Sequence, residues 1–198
     1  LELGGNAPFI VFDDADIDLA ARMAMGNKFR NAGQTCICAN RFLVHKDVSD
    51  AFVRRLLQGI RELKVGDGLK ADTTMGPLIN AEAVAHVDAL VCDALQNGAC
   101  RIAGGQAHKL GGNFYEPTLL TGIKPDMRIF REEIFGPVAA VMSFEDEEEA
   151  VARANDTEYG LASYVCTRDM ARTWRLWKNL QYGMVGVNDA GLASAETP

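Results

Sequence analysis

Short apolar runs alternate with longer amphipathic stretches along this chain, and that alternation limits the fold more than any other feature. Ala7 to Phe12 is an apolar run with Pro8 near its start and Asp13-Asp14 at its end, which predicts a buried strand. Asp14 or Asp16 is placed to cap a helix running to about Asn31, because a carboxylate there accepts from unpaired N–H groups and favours the positive end of the helix dipole. Ile17, Ala20, Ala21, Ala24 and Met25 make its apolar side, so the helix is expected to end just before Cys36. A strand over Arg41 to His45 and a helix from about Ser49 to Leu63 follow, the helix with Phe52, Leu56, Ile60 and Leu63 at helical spacing. A second stripe between Asn80 and Asn97 has Gly98 as a left-handed stop. Cys100 to Ala103, Thr118 to Thr121, Val138 to Phe144, Ala162 to Thr167 and Val185 to Asn188 read as strands. The acidic run Glu145 to Glu149 opens a helix through Ala154, and another spans Asp169 to Asn179. This pattern predicts a layered α/β domain with a mainly parallel sheet flanked by helices.

Composition narrows the function. A chain of 198 residues with 48% hydrophobic content can bury one substantial core. A net charge of -7 argues against a nucleic-acid or anionic-membrane partner, because both need a basic face. No apolar run reaches the roughly 18 residues of a membrane span. Five cysteines are an odd count in a chain that does not need staples, which predicts reduced thiols in a cytoplasmic setting.

The stretch Arg30 to Arg41 concentrates the chemistry. Gly33 permits a tight approach, Gln34-Thr35 is a small polar pair, and Cys36 follows. A lone cysteine is more often core than catalyst. To act as a nucleophile a thiol with a pKa of about 8.5 needs backbone N–H groups or a positive charge nearby, and Arg30 and the loop amides are candidates. Cys38 makes a C-x-C pair, but no second Cys or His pair stands at ligand spacing, with His45, His86 and His108 scattered; no metal is expected. Asn155-Asp156-Thr157 matches a glycosylation acceptor and equally a helix-ending turn, the turn being favoured.

Three motifs in order carry a resemblance that spans the chain. Leu1-Glu2-Leu3-Gly4-Gly5-Asn6, Gly33-Gln34-Thr35-Cys36 and Glu132-Glu133-Ile134-Phe135-Gly136-Pro137-Val138 resemble the glutamate, cysteine and cofactor signatures of the NAD(P)-dependent aldehyde dehydrogenase superfamily, at family-like separations. Within it, Lys28-Phe29-Arg30 and Gly183-Met184-Val185-Gly186-Val187-Asn188 resemble the succinate-semialdehyde dehydrogenase branch. The resemblance implies that residues 1–198 are the catalytic, cysteine-bearing domain, truncated at both ends, with the Rossmann-type cofactor domain absent. It implies an oxidoreductase that turns succinate semialdehyde, or a similar short carboxy-aldehyde, into the acid with NAD or NADP. Cys36 would attack the aldehyde, giving a thiohemiacetal and, after hydride transfer, a thioester, and Glu2 would be the general base for hydrolysis. Glu133 would bind the nicotinamide ribose hydroxyls, with Phe135, Leu3 and Gly4 beside the cofactor. Arg30 and Ser194 would meet the substrate carboxylate. Cys38 would be the second thiol of a redox switch present in some members, the alternative being a plain packed cysteine. The full-length protein is expected to be a homo-oligomer, and residues 1–198 alone to be inactive. Two readings of other classes are a cofactor-independent thiol hydrolase, which would want a histidine near the thiol, and a non-catalytic module.

Overall fold

A computed structural model describes residues 4–192. Seven strands form one sheet in the order β3-β4-β5-β2-β1-β6-β7. They are β1 (Ala7–Val11), β2 (Ala39–His45), β3 (Cys100–Ala103), β4 (Thr118–Thr121), β5 (Val138–Phe144), β6 (Ala162–Cys166) and β7 (Met184–Val187). Every pairing is parallel except β3 with β4, which is antiparallel at one edge. The α/β layered expectation is met, including the mainly parallel sheet.

The centre of the sheet is apolar on both faces because helices cover both, as parallel connections require. Phe9 and Phe42 are register partners across β1 and β2, and Phe52 of α2 (Lys46–Glu62) lies 6.5 and 6.2 Å from their rings. On a strand, neighbouring residues point to opposite faces. Arg41, next to Phe42, therefore points away from α2 and toward α5 (Glu147–Asn155). There it is buried, donates to the carbonyls of Asn6, Arg153 and Ala154 at 2.9 Å, and lies 5.0 Å over the Phe130 ring. A guanidinium can be buried at this depth because its N–H groups find acceptors.

Capping chemistry sets the helix starts. Asp16, Asn80, Asp146 and Asp169 each accept from a backbone N–H in the first turn of α1 (Ile17–Lys28), α3 (Ala81–Gln96), α5 and α6 (Met170–Asn179). Gly98 stops α3 with φ +96°, as expected. One helix boundary differs from the sequence reading in a way that matters. Rather than continuing to Asn31, α1 ends at Lys28, because Asn31 and Ala32 take φ of 52° and 53°. Arg30–Gly33 is a separate tight turn, so the thiol stands eight residues beyond the helix. The sequence also gave no warning of the single helical turn α4 (Arg128–Arg131).

Parallel strands entering the sheet from one side bring the segments before them to one edge. Gly5-Asn6 precedes β1, Cys36 to Cys38 precedes β2, Glu133 to Gly136 precedes β5, and Tyr159-Gly160 precedes β6. Among the described residues no helix is long and apolar enough to cross a membrane.

Candidate active site

Cys36 sits in a turn closed by the Cys38 N–H on the Thr35 carbonyl at 3.0 Å, and its thiol is free and half-buried. The turn is held from several sides. Tyr164 Oη donates to the Ile37 carbonyl at 2.6 Å, and the Ala39 N–H donates to Asn27 Oδ1 at 2.6 Å. Burial pushes the Tyr164 hydroxyl up to about 12, so it remains a donor throughout the neutral range. Gln34 fixes the approach: Nε2 donates to the Asn31 and Pro77 carbonyls at 3.0 and 3.4 Å, while Oε1 accepts from the Ile79 N–H at 2.9 Å. Asn31, Ala32 and Gly33 are all left-handed, at φ 52°, 53° and 75°. Two of the three carry a Cβ and so store backbone strain, which persists only where surrounding contacts over-determine the chain.

Two glycines let neighbouring loops touch the thiol turn. A Cβ on Gly5 would lie 1.8 Å from the Cys36 carbonyl oxygen, and one on Gly33 would lie 2.2 Å from that of Gly136. The thiol turn is therefore in backbone contact with both the segment before β1 and the segment before β5. On the latter, Glu133 Oε1 accepts from the Gly5 N–H at 2.8 Å. Burial pushes the Glu133 carboxyl above its ordinary value, opposed by the Gly5 hydrogen bond and by the charges of Lys28 and His86. A Cβ on Gly4 would meet Glu133 Oε2 at 2.8 Å and the Tyr159 ring at 3.2 Å, so Gly4 leaves open the space beside the carboxylate. Phe135, two residues on at φ 50°, is 38% exposed and lines a cavity with Asn31, Gln34 and Ile79.

Cys38 is buried, unlike Cys36, and burial pushes its thiol up against a smaller opposing effect of Lys28. Arg30 is exposed at the start of the tight turn. Thus Cys36, Gly4, Glu133 and Phe135 lie on loops that meet at the strand-entry edge, while Glu2, Leu3 and Ser194 fall outside the described residues. Of the three histidines, His45 pairs with the Asp47 N–H and His108 with the Leu110 N–H, while His86 pairs with the carbonyl of Glu133 on the site loop itself. Sequence reasoning did not single out Tyr164, Asn27 or Gln34 as supports of the turn, nor Asn40 and Lys28 beneath it. For Lys28 a signal existed, since it extends the buried row Ala20, Ala21 and Ala24 by one helical turn.

Fold and turn together define a class, a parallel α/β domain that presents a thiol at the edge where its strands begin. The aldehyde dehydrogenase family profile matches residues 1–198, and the chain belongs to that family. It is 50% identical over 198 residues to the succinate-semialdehyde dehydrogenase [NADP(+)] of Escherichia coli, covering 100% of this chain and 41% of that protein. It is 52% identical over 198 residues to the 3-sulfolactaldehyde dehydrogenase of Pseudomonas putida, again covering 100% of this chain and 41% of the relative. The crystal structure of succinate-semialdehyde dehydrogenase from Burkholderia pseudomallei superposes with a TM-score of 0.98 at 53% identity, over 100% of this chain and 41% of that one. The chain thus spans about two-fifths of the length of these relatives. The family resemblance carried by the three motifs is borne out.

Proposed function

We propose that the full-length protein oxidises a short aldehyde with an anion at its far end, succinate semialdehyde foremost, to the corresponding acid with NAD or NADP. The observation that carries this reading is the backbone contact between the turn bearing the half-exposed Cys36 and the loop bearing Glu133 and Phe135. These residues fit a nicotinamide dinucleotide: a carboxylate can accept from ribose hydroxyls, a ring can pack beside the base, and Gly4 leaves room next to the carboxylate. When bound, that cofactor supplies the hydride acceptor. Cys36 adds to the aldehyde carbon, and the acyl group it then carries is released by water activated by Glu2. By the motif they share, Leu3 and Gly4 would border the cofactor. Cys38 as a resolving thiol for Cys36 belongs to the same proposal, as do homo-oligomeric assembly and a cytoplasmic setting, the latter supported by five free thiols. A thiol hydrolase is disfavoured because the hydrogen bonds of His45, His86 and His108 go to backbone groups of Asp47, Glu133 and Leu110 rather than to Cys36.

Substrate choice rests on Arg30, with Ser194 as a second donor. The E. coli and P. putida relatives are named for aldehydes that end in a carboxylate and a sulfonate respectively. A guanidinium offers either anion a two-pronged match. Losing such a charge-assisted pair costs about 2–5 kcal/mol once the partner is desolvated. In full-length enzyme Arg30→Ala should sharply lower kcat/KM for succinate semialdehyde and barely change it for butanal. Equal losses on both would reduce the assignment to an unspecified aldehyde.

A further inference from the structure

Lys28 is fully buried at the end of α1, beside the Cys38 thiol, and has no part in the attack by Cys36 described above. A buried ammonium is costly unless its donors are met. Its Nζ donates to Asn40 Oδ1 at 3.3 Å, and Asn40 Nδ2 donates to the Gly5 carbonyl at 3.4 Å. A carboxamide has one acceptor end and one donor end, and an ammonium can face only the acceptor. Lys28 therefore fixes which way Asn40 points, and Asn40 fixes Gly5. On its other side Gly5 presents its N–H to Glu133 at 2.8 Å.

We propose that Lys28 is a positioning residue for the cofactor carboxylate: through Asn40 and Gly5 it sets where Glu133 stands before the dinucleotide arrives. This rests on the reading of Glu133 as the ribose-binding group. A carboxylate accepts from two hydroxyls only when ionised. The groups facing Glu133 are Lys28 from α1, His86 from α3, Tyr159 from the loop before β6, the buried Cys38 thiol ahead of β2, which also meets Lys28, and the Gly5 amide, with Glu132 adjacent in the chain. Burial raises the Glu133 pKa, and the charge of Lys28, itself drawn down by burial, offsets part of that rise. Without the Lys28 charge the carboxyl stays protonated to higher pH, so the acid limb of dinucleotide binding moves up.

The test uses full-length enzyme carrying Lys28→Met, close in shape and uncharged, or Lys28→Gln, which keeps a donor for Asn40 without the charge. Binding of NADH and NADPH is followed by nucleotide fluorescence between about pH 5 and 9, spanning the range in which a raised carboxyl titrates. Hydrogen exchange at the Gly5 amide is followed in the nucleotide-free protein. Lys28→Met should weaken binding about tenfold or more, the worth of a hydrogen bond to a charged group. It should also move the acid limb to higher pH and deprotect the Gly5 amide. Lys28→Gln should restore Gly5 protection but not the acid limb, and it carries the test should the methionine variant not fold. Wild-type affinity, acid limb and Gly5 protection in a folded variant would overturn the assignment. So would a fall in kcat with an unmoved acid limb, which would place Lys28 in service of the thiol turn. A wild-type enzyme that binds neither nucleotide would overturn the cofactor reading and this assignment with it.

Discussion

Gly33→Ala in the full-length enzyme separates two effects that glycine serves at once. Gly33 has φ +75°, where an L-residue costs about 1–2 kcal/mol. Its added Cβ would also lie 2.2 Å from the Gly136 carbonyl oxygen and 2.6 Å from the carbonyl carbon, both backbone atoms that cannot rotate aside. Ordinary C···O approach is about 3.3 Å, so the thiol turn and the Glu133 loop must part by about 1 Å. Overpacking of that kind costs about 1–3 kcal/mol, giving about 2–5 kcal/mol in all. Gly98→Ala is the matched control: it has φ +96° with nothing within 4 Å of the new Cβ, and should lose only the backbone part. Urea unfolding reads the stability difference between the two variants. A misplacement of about 1 Å near reacting groups can cost about 100-fold in rate, so kcat/KM for succinate semialdehyde should fall by that order in Gly33→Ala and stay near wild type in Gly98→Ala. Equal stability losses with undiminished turnover in Gly33→Ala would refute the claim that contact between the loops organises the site.

Cys36→Ala should abolish aldehyde oxidation while leaving NAD(P)H affinity nearly intact, because the sulfur is the group that would bond to substrate; substantial turnover by this variant would remove the nucleophile assignment. Asp14→Asn should destabilise the protein at neutral pH. Burial pushes Asp14 up, but hydrogen bonds from Thr167 and the Arg168 N–H, with the Arg172 charge, outweigh it and hold the carboxyl below its ordinary value. A lowered folded pKa means stabilisation that is complete above the unfolded value of about 3.9 and fades as pH falls through the folded one. The gap between wild type and Asp14→Asn should therefore close below about pH 4; a gap that stayed constant down to pH 3 would count against it.

The legible part of the site was its address. Each of the three motifs lies just ahead of a run that reads as a strand, and in a parallel sheet every such segment arrives at the same edge. From that ordering alone Gly5, Cys36 and Glu133 belong together, though they are far apart in sequence. What did not show was how the turn is held. Helical periodicity carries Ala20, Ala24 and Lys28 along one face but says nothing of left-handed Asn31 and Ala32, whose conformation is imposed by contacts made by Gln34 and by the Gly33–Gly136 approach. Tyr164 reads only as an aromatic in a buried strand; its role depends on where β6 pairs with β1, which no local pattern reports. The strand β3 was read at its observed bounds, but its antiparallel direction was not, since strand direction is a property of the partner.

The bonds that hold the thiol turn also give the site a place in time. Tyr164 reaches Ile37 across 127 residues, and Glu133 reaches Gly5 across 128. Contacts of such separation form late, because the entropy of closing the chain must be met before they contribute. Cys36 emerges from the ribosome long before Tyr164 does, and synthesis proceeds at about 5–20 residues per second. For several seconds the chain carries a cysteine without the turn that aims it. A copy stalled before β6 docks on β1 lacks the Tyr164 bond to Ile37, so the turn around Cys36 is completed only when the central strands assemble.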